Sequence, residues 1–307
     1  MPNLREIAVA CADVQDAIAA YEDLGFRLDM IMPADAPRLA LMSAAGLVLK
    51  LELDGVPAEA LVETAPAFTL ADAGGAWSPG RAGMQYRDLI PGRLGGRVIA
   101  SQIRIPDGGP VNDYVHYHRV AFQMIYCRRG WVRVVYEDQG PPFVMHEGDC
   151  VLQPPTIRHR VLESSPGLEV IEVSAPAEHE TLRDHDLALP TKTLHRERSY
   201  GGQHFVHRVA SGAEWQRGQG FTVRDTGIAT ATGGLAGARV LRASAYAASK
   251  TRKPLFLMVL AGNCRLNGET SGAHLLAADD ACVIPADAAY TLQAGELCEL
   301  LEVALPL

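Results

Sequence analysis

Apolar and polar residues alternate along most of this chain with a period close to two, in short runs broken by glycine, proline and aspartate. That period sends successive side chains to opposite faces of a strand, so the chain reads as mainly β. The opening differs. Arg5–Cys11 reads as a strand and Asp13 as a helix N-cap. Val14, Ala17, Ile18, Tyr21 and Leu24 then share one helical face, and Gly25 ends the helix. Three apolar runs follow, Phe26–Met32, Leu39–Ser43 and Leu47–Leu53. The predicted order for residues 1–56 is β-α-β-β-β.

Residues 57–84 are rich in Ala, Pro and Gly, which predicts a linker or a segment laid over a neighbouring domain. From about Met84 the chain turns to short Val-, Ile- and Tyr-rich strands between Gly-Pro-Asp turns, the texture of a β-sandwich or barrel. A second such stretch, from about Gly201 to Leu307, can be laid over the first. Gly130 then matches Gly262, Asp149 matches Asp280 and Pro154 matches Pro285. The pattern predicts two tandem barrels, over residues 85–190 and 191–307.

Chemistry concentrates in the first barrel. His116 and His118 are two apart on a predicted strand, so their imidazoles project together while Tyr117 points away. Gly148-Asp149 signals a hairpin, and Pro154-Pro155 then bends the chain to deliver His159 from a different strand. Three neutral imidazoles converging in this way form a transition-metal site with open coordination positions. The equivalent positions in the second barrel hold Ala248, Lys250, Leu255 and Tyr290, which make no such site.

These residues resemble the two conserved motifs of the cupin superfamily. His116, His118 and Gly130 fit the first motif. Gly148, Pro154 and His159 fit the second. The resemblance implies two cupin barrels of the double-stranded β-helix or jelly-roll type, of which only the first binds metal. Two positions depart from the family pattern: Gln123 stands where a Glu ligand is usual, and Thr156 where a Gly is usual. Gln123 is therefore expected either to ligate through its amide oxygen or to hydrogen-bond to a metal-bound water or substrate. The segment AIAAYEDLGFRLD, within residues 4–53, resembles one module of the glyoxalase, or vicinal oxygen chelate, superfamily. Members of that superfamily often place a metal-binding His where this chain has Ile7 and Ala8. Glu52 alone cannot hold an ion, so a structural or dimer-forming role is expected for the module.

The implied function is that of a metal-dependent enzyme acting on a small, anionic molecule. The leading expectation is a dioxygenase using Fe2+. With Mn2+, Ni2+, Zn2+ or Cu2+ the same site suits an isomerase, lyase or hydrolase, and a non-enzymatic binding protein is the other alternative. Arg104, Arg133 and Arg158 are candidates for holding the anion. Tyr114, Tyr117, Tyr126 and Tyr136 are expected to pack, and the remaining histidines to be structural or exposed. The formal net charge of −8 disfavours nucleic acid as a partner. No apolar run is long enough to span a membrane, and the N-terminus lacks a signal-peptide layout. Six singly spaced cysteines fit reduced thiols in the cytoplasm. Exposed barrel edges favour a homodimer.

Overall fold

The computed structural model describes residues 5–55 and 67–307, apart from 219, 244, 245, 251, 270 and 296. Its first elements follow the predicted β-α-β-β-β order: Arg5–Cys11, helix Val14–Asp23, Arg27–Met32, Leu39–Ala44 and Leu47–Leu53. The Asp13 carboxylate accepts the Asp16 N–H (2.9 Å) and so satisfies one of the free donors at the helix start. Val14 and Ile18 pack with Leu28, Met42 and Leu51. Glu52 pairs with Lys50 at 2.6 Å, and no group of metal-binding side chains forms around it among the described residues.

This module does not stand apart. Arg27–Met32 pairs antiparallel with Thr181–Arg183, a strand beside His116–His118. The module's four strands thus extend one ten-stranded sheet that continues through His159–Ser164, Trp131–Tyr136 and Phe143–His146.

The barrel closes against a seven-stranded sheet containing Cys150–Leu152, Phe122–Arg129, Leu168–Ala175, Ile99–Ile105 and Gln85–Asp88. Alternation along these strands sorts the side chains. Phe122, Met124, Tyr126, Ile171 and Val173 face the second barrel. Ile125, Cys127, Leu168 and Val170 face inward. Within the stretch read as linker or overlay, Thr69–Ala71 is laid over the second barrel, pairing with Ala281–Ile284. Further on, Ser78–Pro79 forms a hairpin with Gln85–Asp88 in the first barrel. One expectation changes here: Val206–Arg208, read as the start of the second barrel, pairs with Cys150–Leu152 and edges the first.

The second barrel is filled. Leu255, Leu257, Val259, Leu266, Tyr290, Leu292 and Leu300 occupy its interior, each contributing on the order of 2 kcal/mol from the burial of apolar surface. Leu255 and Tyr290 are two of the positions matched to Gln123 and His159, and Lys250 is exposed. The two barrels share a core built from Phe122, Met124 and Leu152 on one side and Phe256, Met258 and Leu301 on the other. Their repeat shows in one detail. Asp149 accepts the His146 N–H (2.9 Å) and Asp280 accepts the Ala277 N–H (2.8 Å), each closing its hairpin in the same way. All six cysteines are buried and unpaired. No helix among the described residues is long and apolar enough to cross a membrane.

Candidate metal centre

His116 and His118 form the ends of a three-residue strand, held between His159–Ser164 and Thr181–Arg183. His159 opens its strand directly opposite His116. All three imidazoles are buried, and each offers a ring nitrogen within 4.8 Å of the others. The turn that delivers His159 explains the usual glycine of the second motif. Thr156 adopts φ +65°, a left-handed conformation that a β-branched residue rarely occupies. Its N–H bonds to the His118 carbonyl (3.0 Å), which keeps the strained turn fastened to the histidine strand. The strain costs about 1–3 kcal/mol, while glycine would lose about 0.5–1 kcal/mol to its freer unfolded chain. Thr156→Gly is therefore expected to stabilise the protein by about 1 kcal/mol. A rise in thermal unfolding temperature would show it, and a fall would mean that the threonine side chain contributes packing of its own.

The hydrogen bonds define how the rings present themselves. His116 Nδ1 donates to the Tyr114 carbonyl (2.8 Å) and His159 Nδ1 to the Ile157 carbonyl (3.1 Å). A carbonyl oxygen only accepts, so both rings carry their proton on Nδ1 and keep a lone pair on Nε2. His118 Nδ1 lies 2.9 Å from the Thr181 hydroxyl, in the same outward role. Arg81 Nη2 and Gln153 Nε2, both donors, approach the Nε2 atoms of His116 (3.0 Å) and His159 (3.4 Å). Burial, in a site that also holds a guanidinium and further imidazoles, disfavours protonation. It lowers His116 to about 4, against a partial pull upward from Asp113, and holds His118 and His159 well below the usual imidazole range. These are neutral nitrogen donors, already oriented as a metal requires.

A cavity of about 80 Å³ lies against them, room for a molecule of a few heavy atoms. Its wall is largely apolar, with Ile103, Ile125, Val134, Met145 and Val161, and carries Arg81, Tyr86, Tyr136, Gln153 and Glu172 as polar exceptions. Arg81 Nη1 donates to Asp113 (2.6 Å). Burial opposes both charges, but each stabilises the other: Asp113 stays below the usual carboxylate range and Arg81 stays charged. Tyr136 donates to the Gln153 carbonyl (2.5 Å) with its ring stacked towards His159.

Gln123 is buried but does not line the cavity. Its amide oxygen, the atom expected to ligate, accepts from Gln153 Nε2 (3.0 Å), and its Nε2 donates to Glu172 (3.2 Å). Gln123 thus stands behind Gln153 and Glu172 and holds both. The arginine expectations also change. Arg104 stacks on Trp77, Arg133 pairs with Glu163, and Arg158 stacks on Tyr117 and pairs with Asp184. None of the three lines the cavity. His179, read as exposed or structural, is buried with its ring 5.4 Å from that of His118, and its Nδ1 donates to the Pro176 carbonyl.

Residues 102–173, which include all three histidines, match the family model of the cupin domain. The chain carries a cupin domain. A search of curated protein sequences finds no match. Among solved structures, the cupin fold extends over both barrels. A variant of Bacillus subtilis oxalate decarboxylase superposes with a TM-score of 0.57 at 13% identity, covering 79% of this chain and 78% of that one. Lactobacillus farciminis oxalate decarboxylase, in a formate complex, gives 0.58 at 14% identity over 80% and 88%. The E. coli protein Ylba gives 0.55 at 13% over 80% and 93%. At these identities the likeness is one of fold.

Proposed function

We propose that this protein is a metal-dependent cupin enzyme that cleaves a small carboxylate or enolate at His116, His118 and His159. The observation that carries the reading is the donor set. Three neutral imidazoles, with no carboxylate among them, leave the double charge of a bound cation uncompensated within its ligand set, which favours an anionic substrate. Such an ion would supply Lewis acidity and, as Fe2+, access to dioxygen. The chain's own groups do the rest. Arg81 offers N–H donors to an anionic group, the apolar wall limits water, and the cavity admits only a small molecule. Glu172, fixed by Gln123 and by the Ser174 hydroxyl (3.2 Å), is the one carboxylate on the wall among the described residues and can take or return a proton.

A dioxygenase is the leading reading. A decarboxylase-type lyase is the second, favoured by Glu172 and by the oxalate decarboxylases that share the fold. Metal analysis followed by paired oxygen-electrode and CO2 assays separates them, with oxalate, small keto acids, β-diketones and catechols as substrates. Oxygen consumed in step with substrate supports the dioxygenase, and CO2 released without net oxygen uptake supports the lyase. A metal-loaded protein that turns over none of them, yet still binds one, would leave a binding protein as the better account.

A further inference from the structure

The Ser78–Pro79 and Gln85–Asp88 hairpin brings Arg81, Met84 and Tyr86 to the cavity wall, and its tip, Arg81–Gly83, turns through left-handed backbone at Ala82 (φ +54°) and Gly83 (φ +75°). The hairpin is closely packed on itself: a Cβ on Gly80 would fall 2.3 Å from the Tyr86 ring. It carries the Arg81 side chain inward. That side chain is 13% exposed, whereas those of Asp113 and His116 are 0% and 1% exposed. The guanidinium lines the cavity beside the imidazoles and is held within it by Asp113. A guanidinium can only donate, so Nη2 engages the same His116 lone pair that a cation would take.

We infer that Arg81 is a plug shared between metal and substrate: a cation at the three histidines displaces Nη2 from His116, and the freed N–H groups receive a carboxylate. This rests on the reading of the three histidines as metal ligands. Asp113 need not move, since it is also held by the Val161 N–H (2.9 Å), and it keeps Nη1 as a pivot. The displaced edge of Arg81 then faces the cavity, beside the open coordination positions, where it can bind a carboxylate by two parallel N–H bonds. Metal and carboxylate favour the same position of one side chain, so each strengthens the binding of the other. Linkage makes the effect reciprocal.

The test is a Co2+ titration of the full-length metal-free protein, followed by calorimetry and by the visible absorption of the bound ion, with and without saturating acetate. Wild type is expected to bind Co2+ about 10-fold tighter when acetate is present, within the range usual for coupled sites. Arg81→Met is expected to bind Co2+ about 10-fold tighter than wild type without acetate, and to lose most of the acetate effect. Arg81→Lys keeps an ion pair to Asp113 and so guards against misfolding, and it too should lose the acetate effect. Equal Co2+ affinity in all three proteins would overturn the plug while leaving the metal site standing. An undiminished acetate effect in both variants would overturn the carboxylate role. No Co2+ binding in any of them would remove the three-histidine reading and the plug with it.

Discussion

Replacing His116, His118 or His159 by alanine is expected to bring bound metal from near one ion per chain to near none. Losing a partner that merely orients a metal-bound imidazole costs about 10–100-fold in affinity, so losing the imidazole itself should exceed that range. The fold should survive, because each ring is a neutral side chain in a barrel whose sheets are held by unaltered strands. His179→Ala is the matched control. It removes a buried imidazole next to His118, but one outside the converging trio, and should leave metal content unchanged. Metal analysis with circular dichroism on all four variants decides the matter. Retention of metal by His116→Ala or His159→Ala would place the ion elsewhere.

Acid should destabilise the metal-free protein steeply, and from an unusually high pH. In the unfolded chain each imidazole takes up a proton near pH 6.5. In the fold, burial holds His116 down to about 4 and keeps His118 and His159 well below the usual imidazole range. Between those limits the unfolded chain binds more protons than the folded one, so stability falls as pH falls through that window. Above pH 6.5 all three rings are neutral in both states and the contribution is flat. For His116 alone the loss by pH 4 is about 3 kcal/mol, and the other two act in the same direction. Against a usual total of about 5–15 kcal/mol, that is enough to unfold the domain. Urea or thermal unfolding of the metal-free protein between pH 7.5 and 4.5 measures it, and a flat profile down to pH 5 would contradict the buried, neutral trio. A bound ion should deepen the loss, because its affinity also requires deprotonated rings.

The histidine trio was legible in the sequence because it depends on local rules. Spacing of two puts His116 and His118 on one face, and the hairpin at Gly148-Asp149 with Pro154 returns the chain to them. That the second barrel lacks a donor set was legible too, since Leu255 and Tyr290 stand where donors would be needed; that its interior is filled was not. The rest of the site depends on which distant segments meet. Arg81 lies in a stretch whose composition reads as linker, and only the hairpin of Ser78–Pro79 and Gln85–Asp88 brings it to His116. Glu172 carried a weak signal, an acidic residue at an inward position of the apolar strand Leu168–Ala175. Arg158 was overrated because it neighbours His159 in sequence, when adjacent residues on a strand face opposite ways. Gln123 shows the same limit. Its inward face was readable, but Gln153 standing in front of it was not.

The sheet that carries the histidines also governs when the site can exist during folding. His116–His118 is only three residues long, and its neighbours are His159–Ser164 and Thr181–Arg183, the latter joined in turn to Arg27–Met32. Every pairing that aligns this strand closes a long loop, and such closures are entropically costly and slow. The chain must extend past residue 183 before both neighbours of this strand are available. An ion that binds only the finished trio then reports that His116–His118 and His159–Ser164 have met, in a sheet whose Arg27–Met32 and Thr181–Arg183 strands lie some 150 residues apart in the chain.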